Sequence, residues 1–277
     1  MLVVYGAVLR STGAAPMDAA APAGAVAWLA ASRAAYDAGK YKEALPPTVE
    51  LVRAFPRQQI YAQRLASIHR ELGRPADEAA AWEQVVAISP TPVDACPALP
   101  EAYERAGSPG RALDAYERCV EFEPRNTDML FFAARAHERG GRADRAAARY
   151  REALDIDGRH DDSLLGLARL DFQAGRLEQA ERAATTVLES YPDHADALLL
   201  AGMCAQRAGR SAAARRHLER ALGLAEHYVD VHIALGVVDF QDGRVGDARR
   251  HFERAVALDG SRRAEVAVWL ERTAGHR

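Results

Sequence analysis

The sequence predicts an all-α fold built from stacked helix pairs, and three observations carry that prediction. Seven glycines, Gly39, Gly73, Gly107, Gly141, Gly175, Gly209 and Gly243, stand 34 residues apart with no insertion between them. Small and large apolar residues recur beside each of them at helical spacing. The composition favours helix over sheet as well: alanine is abundant, aromatic residues make up 7% and β-branched clusters are few. Residues 141–160, GRADRAAARYREALDIDGRH, return in altered form as GRVGDARRHFERAVALDGSR at 243–262.

Each glycine follows one apolar-periodic stretch and precedes another, so it reads as the turn between two helices. A left-handed residue often closes a helix, and glycine adopts that conformation without a Cβ clash. Five residues further the chain is small, at Ala44, Ala112, Ala146, Ala180, Ala214 and Ala248, with Glu78 the single exception. Four residues on come Trp82, Tyr116, Tyr150, Leu218 and Phe252, while Thr48 and Ala184 are smaller. Three more bring Leu51, Val85, Cys119, Ala153, Val187, Ala221 and Ala255. This i, i+4, i+7 spacing makes one apolar face on the second helix of each pair. Pro56, Pro90, Pro124 and Pro192 close four of the units, where a helix must stop. One pair cannot bury its apolar faces alone, so neighbours must share a continuous core. The final stretch SRRAEVAVWLERTAGHR supplies a cap in which Val266, Trp269 and Leu270 would cover the last pair.

The 34-residue period and this small–large spacing resemble the tetratricopeptide repeat family. The resemblance covers residues 25–262 as seven repeats: 25–58, 59–92, 93–126, 127–160, 161–194, 195–228 and 229–262. The phrase AVAWLAASRAAYDAGKYKEAL places Trp28 and Tyr41 where the family's pattern expects aromatics. What the resemblance implies is a right-handed α-solenoid, with first helices lining a concave groove and second helices forming the outer face. Residues 1–24 are left as a flexible N-terminal leader and 263–277 as a C-terminal capping helix.

Two places depart from the pattern. Pro46 and Pro47 fall inside the second helix of the first repeat, which is therefore expected to start late or kink. Pro90, Pro92, Pro97 and Pro100 delay the first helix of the third repeat to near Pro100. The break reads as tolerated irregularity, with a hinge between 25–92 and 93–262 as the alternative.

Cys96, Cys119 and Cys204 form no CxxC motif and read as buried small apolar residues in a reducing compartment. A Cys96–Cys119 disulfide becomes conceivable if the chain is exported. The opening MLVVYGAVLR has a short apolar run with no basic residue before it, so a leader, or a start at Met17, is expected over a cleaved signal. That makes a cytoplasmic location the expectation, and a periplasmic or exported one the alternative. No stretch approaches the ~18 apolar residues needed to span a bilayer. Lys40 and Lys42 are the only lysines, an arginine preference that points to a GC-rich, bacterial genome. The formal charge of −3 gives no general attraction to nucleic acid.

There is no GxSxG, no glycine-rich phosphate loop, no HExxH and no Cys/His metal spacing. We therefore expect no catalytic residues, no cofactor and no metal. His217 and His251 are repeat equivalents; His227 and His232 straddle a boundary and read as solvated loop residues before a two-histidine site. Asp94, Asp128, Asp162, Asp196 and Asp230 stand second in five successive repeats. Such acids balance the helix dipole, and they could also form a rail for basic side chains.

By the resemblance, the second, fifth, ninth, twelfth and thirteenth positions of each unit face the groove. The candidate site then comprises Phe131, Leu165, Leu199 and Ile233 at the fifth position, with Phe172, Met203, Val237 and Phe240 nearby and Arg135 and Arg169 among them. The family's lysine–asparagine clamp for a terminal carboxylate is missing, since Leu29, Arg33, Gln63 and Ser67 occupy such positions. An extended or helical peptide with apolar side chains and a few charges fits better. The expected function is a non-catalytic scaffold for a protein or peptide partner. A self-assembling homo-oligomeric platform and an accessory subunit of a separate enzyme are the alternatives.

Overall fold

In a computed structural model, Pro22 and residues 24–89 and 93–274 are described. Residues 1–21 and 23 of the expected leader, and Pro90 and Pro92 of the proline-rich break, lie outside the described residues. The described residues are helical with no strand, and they fall into two compact units, one ending at Phe122 and one starting at Glu123. The first unit holds α1 (Ala25–Asp37), α2 (Tyr41–Ala54), α3 (Gln59–Glu71), α4 (Pro75–Ile88), α5 (Ala98–Arg105) and α6 (Pro109–Phe122). The second holds α7 (Thr127–Arg139), α8 (Ala143–Ile156), α9 (Asp161–Gln173), α10 (Leu177–Ser190), α11 (Ala195–Arg207), α12 (Ser211–Leu224), α13 (Val229–Gln241), α14 (Val245–Leu258) and α15 (Arg263–Thr273).

The glycine ladder makes the turns within pairs. At Gly175, φ is +77°; its N–H donates to Phe172 O and the N–H of Arg176 reaches back to Asp171 O. These two bonds are the Schellman closure that satisfies the last carbonyls of a helix, and all seven ladder glycines have positive φ.

Packing inside a pair depends on matched sizes. Leu218 and Phe252 are fully buried on second helices, and the first helices opposite them carry Gly202 and Gly236. A Cβ at either glycine would lie 2.6 Å from the facing side chain. Where the second helix carries only Ala184, the first helix has Ala168 and both are fully buried. At the C-terminus, α15 places Val266 against Ala248 and Phe252, and Trp269 stacks on Phe252 at 5.9 Å.

The first unit corrects three expectations. Helix α2 does not start late: it runs from Tyr41 to Ala54 with Pro46 and Pro47 inside. The prolines take the i+4 donors from the carbonyls of Lys42 and Glu43, and those two residues are exposed, where water can serve. The buried side of the helix is intact, with Ala44, Thr48 and Leu51 fully buried and Thr48 Oγ1 2.7 Å from Ser32 Oγ. Helix α5 is short, beginning at Ala98 with Pro100 in its first turn. Cys96, just before it, is joined to Cys119 of α6 by a disulfide, so these two are not the free buried thiols expected. The described residues from 93 to 122 share a compact unit with α1–α4, so the contacts do not thin at the alternative division between 25–92 and 93–262. Arg105, Glu101 and Asp94 all bond back to α3 or α4 across it.

Candidate interaction face of the first helices

In the second unit the first helices α7, α9, α11 and α13 approach one another along the stack, while the second helices make at most marginal contact. The first helices therefore form the inner layer of this unit. Every residue of the expected groove site lies on them.

The structure corrects how these residues are used. Phe131, Leu165, Phe172 and Leu199 are buried, so the apolar stripe is core and not a free surface. Leu165 and Phe172 share a cluster with Ala168, Ala180 and Leu200; Leu199 joins Leu198, Leu218 and Leu235. Met203 is half-buried between these two clusters, and Ile233, Val237 and Phe240 are half-buried against the cluster of Phe252 and Val266. Only Arg135 and Arg169 of the ten are exposed.

The reason lies at the twelfth position, where each side chain is engaged by the helix that follows along the inner layer. Glu138 receives Arg169 Nη2 at 3.4 Å. Phe172 lies under the guanidinium of Arg207 at 4.1 Å, and Arg207 Nη1 also donates to Phe172 O at 3.0 Å. Gln206 donates to Gln241, and Phe240 is covered by Arg272 of α15 at 4.5 Å. Glu138 also accepts from Tyr150 OH at 2.8 Å, and burial followed by that carboxylate pushes the Tyr150 phenol above its ordinary range. Sequence reasoning missed Arg207, Glu138, Gln206 and Arg272. Their only signal was polar identity, at the twelfth position for Glu138 and Gln206, the thirteenth for Arg207, and in the capping helix for Arg272.

The aspartate row is stitched into the stack. Asp128 Oδ1 is 3.2 Å from His160 Nε2, Asp196 accepts from Tyr228 OH, and Asp230 accepts from Arg262, each 32 residues on. His160 also caps α9, its Nδ1 accepting from Ser163 N, which leaves the Nε2 proton for Asp128. Asp94 instead takes Gln59 and Gln63 of α3.

His232 is not the solvated loop residue expected: it is buried on α13 and pairs with His251 of α14. His232 Nδ1 lies 3.0 Å from His251 Nδ1, and His232 Nε2 is 3.2 Å from Glu226 O, whereas His227 faces Arg254. A carbonyl only accepts, so Nε2 of His232 carries the proton and His251 donates through Nδ1. Burial, then the neighbouring His232, Arg215 and Arg250, holds His251 down at about 4. Asp239, almost fully buried, is bonded to Arg215 and Arg244 beside this pair. Among the described residues no cluster of His, Cys, Asp and Glu could hold a metal, and no helix is long and apolar enough to cross a membrane.

Helix pairs of this size, closed by left-handed glycines and offering an inner layer of polar side chains, define a helical repeat protein of the interaction-scaffold class. Tetratricopeptide repeat models match residues 29–95, 101–160 and 205–263, and a second such model matches 139–204; the chain belongs to the tetratricopeptide repeat family. No curated protein sequence matches it. A tetratricopeptide repeat protein from Parabacteroides merdae superposes with a TM-score of 0.66 at 16% identity, over 90% of this chain and 98% of that one. The APC/C hetero-tetramer Cut9–Hcn1 gives 0.67 at 14%, over 87% of this chain and 48% of that one. YrrB, described as a repeat protein with an unusual peptide-binding site, gives 0.54 at 15%, over 66% and 95%. At these identities the likeness is one of fold. Repeats of this family imply a protein–protein interaction scaffold.

Proposed function

We propose that the chain is a non-catalytic scaffold that holds a segment of a partner protein against the first-helix face of its second unit. One observation carries the reading. The packed inner layer keeps a mixed surface outward: exposed Arg135, Arg169, Gln173 and Arg207, then half-buried Met203, Ile233 and Val237. A surface already ordered by its own core loses little entropy on binding. The buried stripe supports this face from beneath, so Leu165→Arg or Leu199→Arg would test folding and not binding. The paired Cys96 and Cys119 favour an oxidising compartment over the cytoplasmic one expected.

The test is photo-crosslinking in the native cell from single positions carrying a photoreactive phenylalanine. Gln173 samples the first-helix face and Arg151 the second-helix face, and both are exposed. We expect one protein adduct from Gln173 and none from Arg151. Adducts from Arg151 alone, or from neither, would remove the reading, and an adduct to a second copy of this chain would favour the homo-oligomeric platform.

A further inference from the structure

The chemistry of the bound segment follows from which charges on this face remain available; this inference rests on the reading just proposed. Three of the four second-position aspartates in this unit already serve the stack, through His160, Tyr228 and Arg262. They also lie about 10 Å along the helix axis from the ninth position, seven residues at ~1.5 Å each.

The guanidinium groups are placed differently. Arg135 lies 5.6 Å from the centre of the Phe131 ring and is engaged by no carboxylate among the described residues. Arg207 lies 4.1 Å over Phe172, with one arm on a backbone oxygen. Arg169 has a long contact of 3.4 Å to Glu138, a carboxylate it shares with Tyr150. An arginine laid on an aromatic ring is held in place with donors still directed to its edge, the geometry a side-chain carboxylate takes in a forked pair.

Spacing selects the ligand further. Packed helices stand about 8–10 Å apart, which sets the interval between Arg135 and Arg169 at the ninth positions of successive first helices; Arg207, at the thirteenth position of the next, lies about 6 Å further along its helix axis. An extended chain covers that interval in about three residues at ~3.3 Å each. Beside Arg207 the same face turns apolar, at Met203 one turn earlier on α11 and at Ile233 and Val237 on α13.

We propose that the first-helix face of the second unit recognises an extended acidic segment. Its carboxylate side chains, about three residues apart, pair with Arg135, Arg169 and Arg207, and an apolar side chain settles at the Met203–Val237 end. The carboxylates are side chains within the segment, so a free C-terminus is not required.

The experiment is fluorescence anisotropy on the full chain with a labelled, C-terminally amidated peptide carrying glutamate at every third position and two leucines at one end. A second peptide has glutamine in place of every glutamate. The glutamate peptide should bind about tenfold or more tightly than the glutamine peptide at low salt, and the difference should shrink as salt rises. The Arg135→Gln/Arg169→Gln variant, both positions exposed, should lose that preference while keeping its thermal melt. Equal binding of the two peptides, no binding of either, or an unchanged preference in the variant would each overturn the proposal. The Gln173 crosslink separates the two readings: if it survives a failed peptide test, the face binds a partner of other chemistry, and if it is lost too, the face is not the docking surface.

Discussion

The two units solve the same packing problem with different chemistry. In the second, the repeats draw on shared devices: a twelfth side chain engaged by the following helix in all four, an aspartate bonded 32 residues on in three, and glycine opposite a large apolar residue in the last two. In the first, the exceptions to the pattern carry the bonds. Glu78, which stands where every other repeat has alanine, is fully buried and takes both arms of Arg105, at 2.7 and 2.9 Å, plus Arg70 at 3.1 Å. Thr48, in the slot of the large apolar residue, is hydrogen-bonded to Ser32. The shortened α5 is anchored beside a disulfide. Where apolar complementarity is interrupted, directional and covalent links take over, and they act on a few named atoms instead of along a whole face.

That contrast breaks most visibly at Arg105. Arg105→Ala leaves the buried Glu78 carboxylate with Arg70 alone and should cost about 3–5 kcal/mol. Hydrogen exchange should rise in α3–α5 and stay unchanged in α9–α13; a uniform rise across both units would show that they do not respond separately. Reducing Cys96–Cys119, whose sequence separation is 23, should lower stability by about 3 kcal/mol from loop entropy. Denaturant melts with and without reductant, compared with Cys119→Ser, check this. Cys204 adds no competing thiol chemistry, since it is buried and burial pushes its thiol up to about 11.

The smallest effect belongs to the second unit. His251 is held at about 4 in the fold, against the ordinary value near 6.5. Between those values the unfolded chain takes the proton first, so stability falls as pH drops from 6.5 and levels off below 4. Asp239 opposes this, because burial raises its carboxyl and it gains its proton earlier in the fold. The net loss should be about 2 kcal/mol. It should be smaller in His251→Gln, where His232 and His217, also lowered by burial, still contribute; melts at pH 6.5 and 4 compare the two.

The period, the turns and the helix pairing were legible because a glycine ladder and alternating side-chain size are one-dimensional signals. The fate of the apolar stripe was not. Phe172 and Leu199 look alike on an open face or beneath a neighbouring helix, and what covers Phe172 is an arginine 35 residues away. The pairing of His232 with His251 was hidden for the same reason, and that of Cys96 with Cys119 was visible only as a conditional alternative: each joins residues whose proximity depends on three dimensions. Glu78 was visible as an exception, but its partner Arg105 carried no mark of its own. Arg135 and Arg169 were placed on the first-helix face by register alone, because exposed positions there follow directly from the repeat.

The bonds from Asp128, Asp196 and Asp230 each end on a different donor, histidine, tyrosine or arginine, and each closes on the last residue of its own repeat. A 34-residue block of this array therefore carries both partners of its aspartate bond with it when a gene duplicates or deletes it. The number of repeats in the second unit is thus open to evolutionary change by recombination. The first unit, whose buried charge and cysteine pair each need one specific counterpart, is inherited whole or lost.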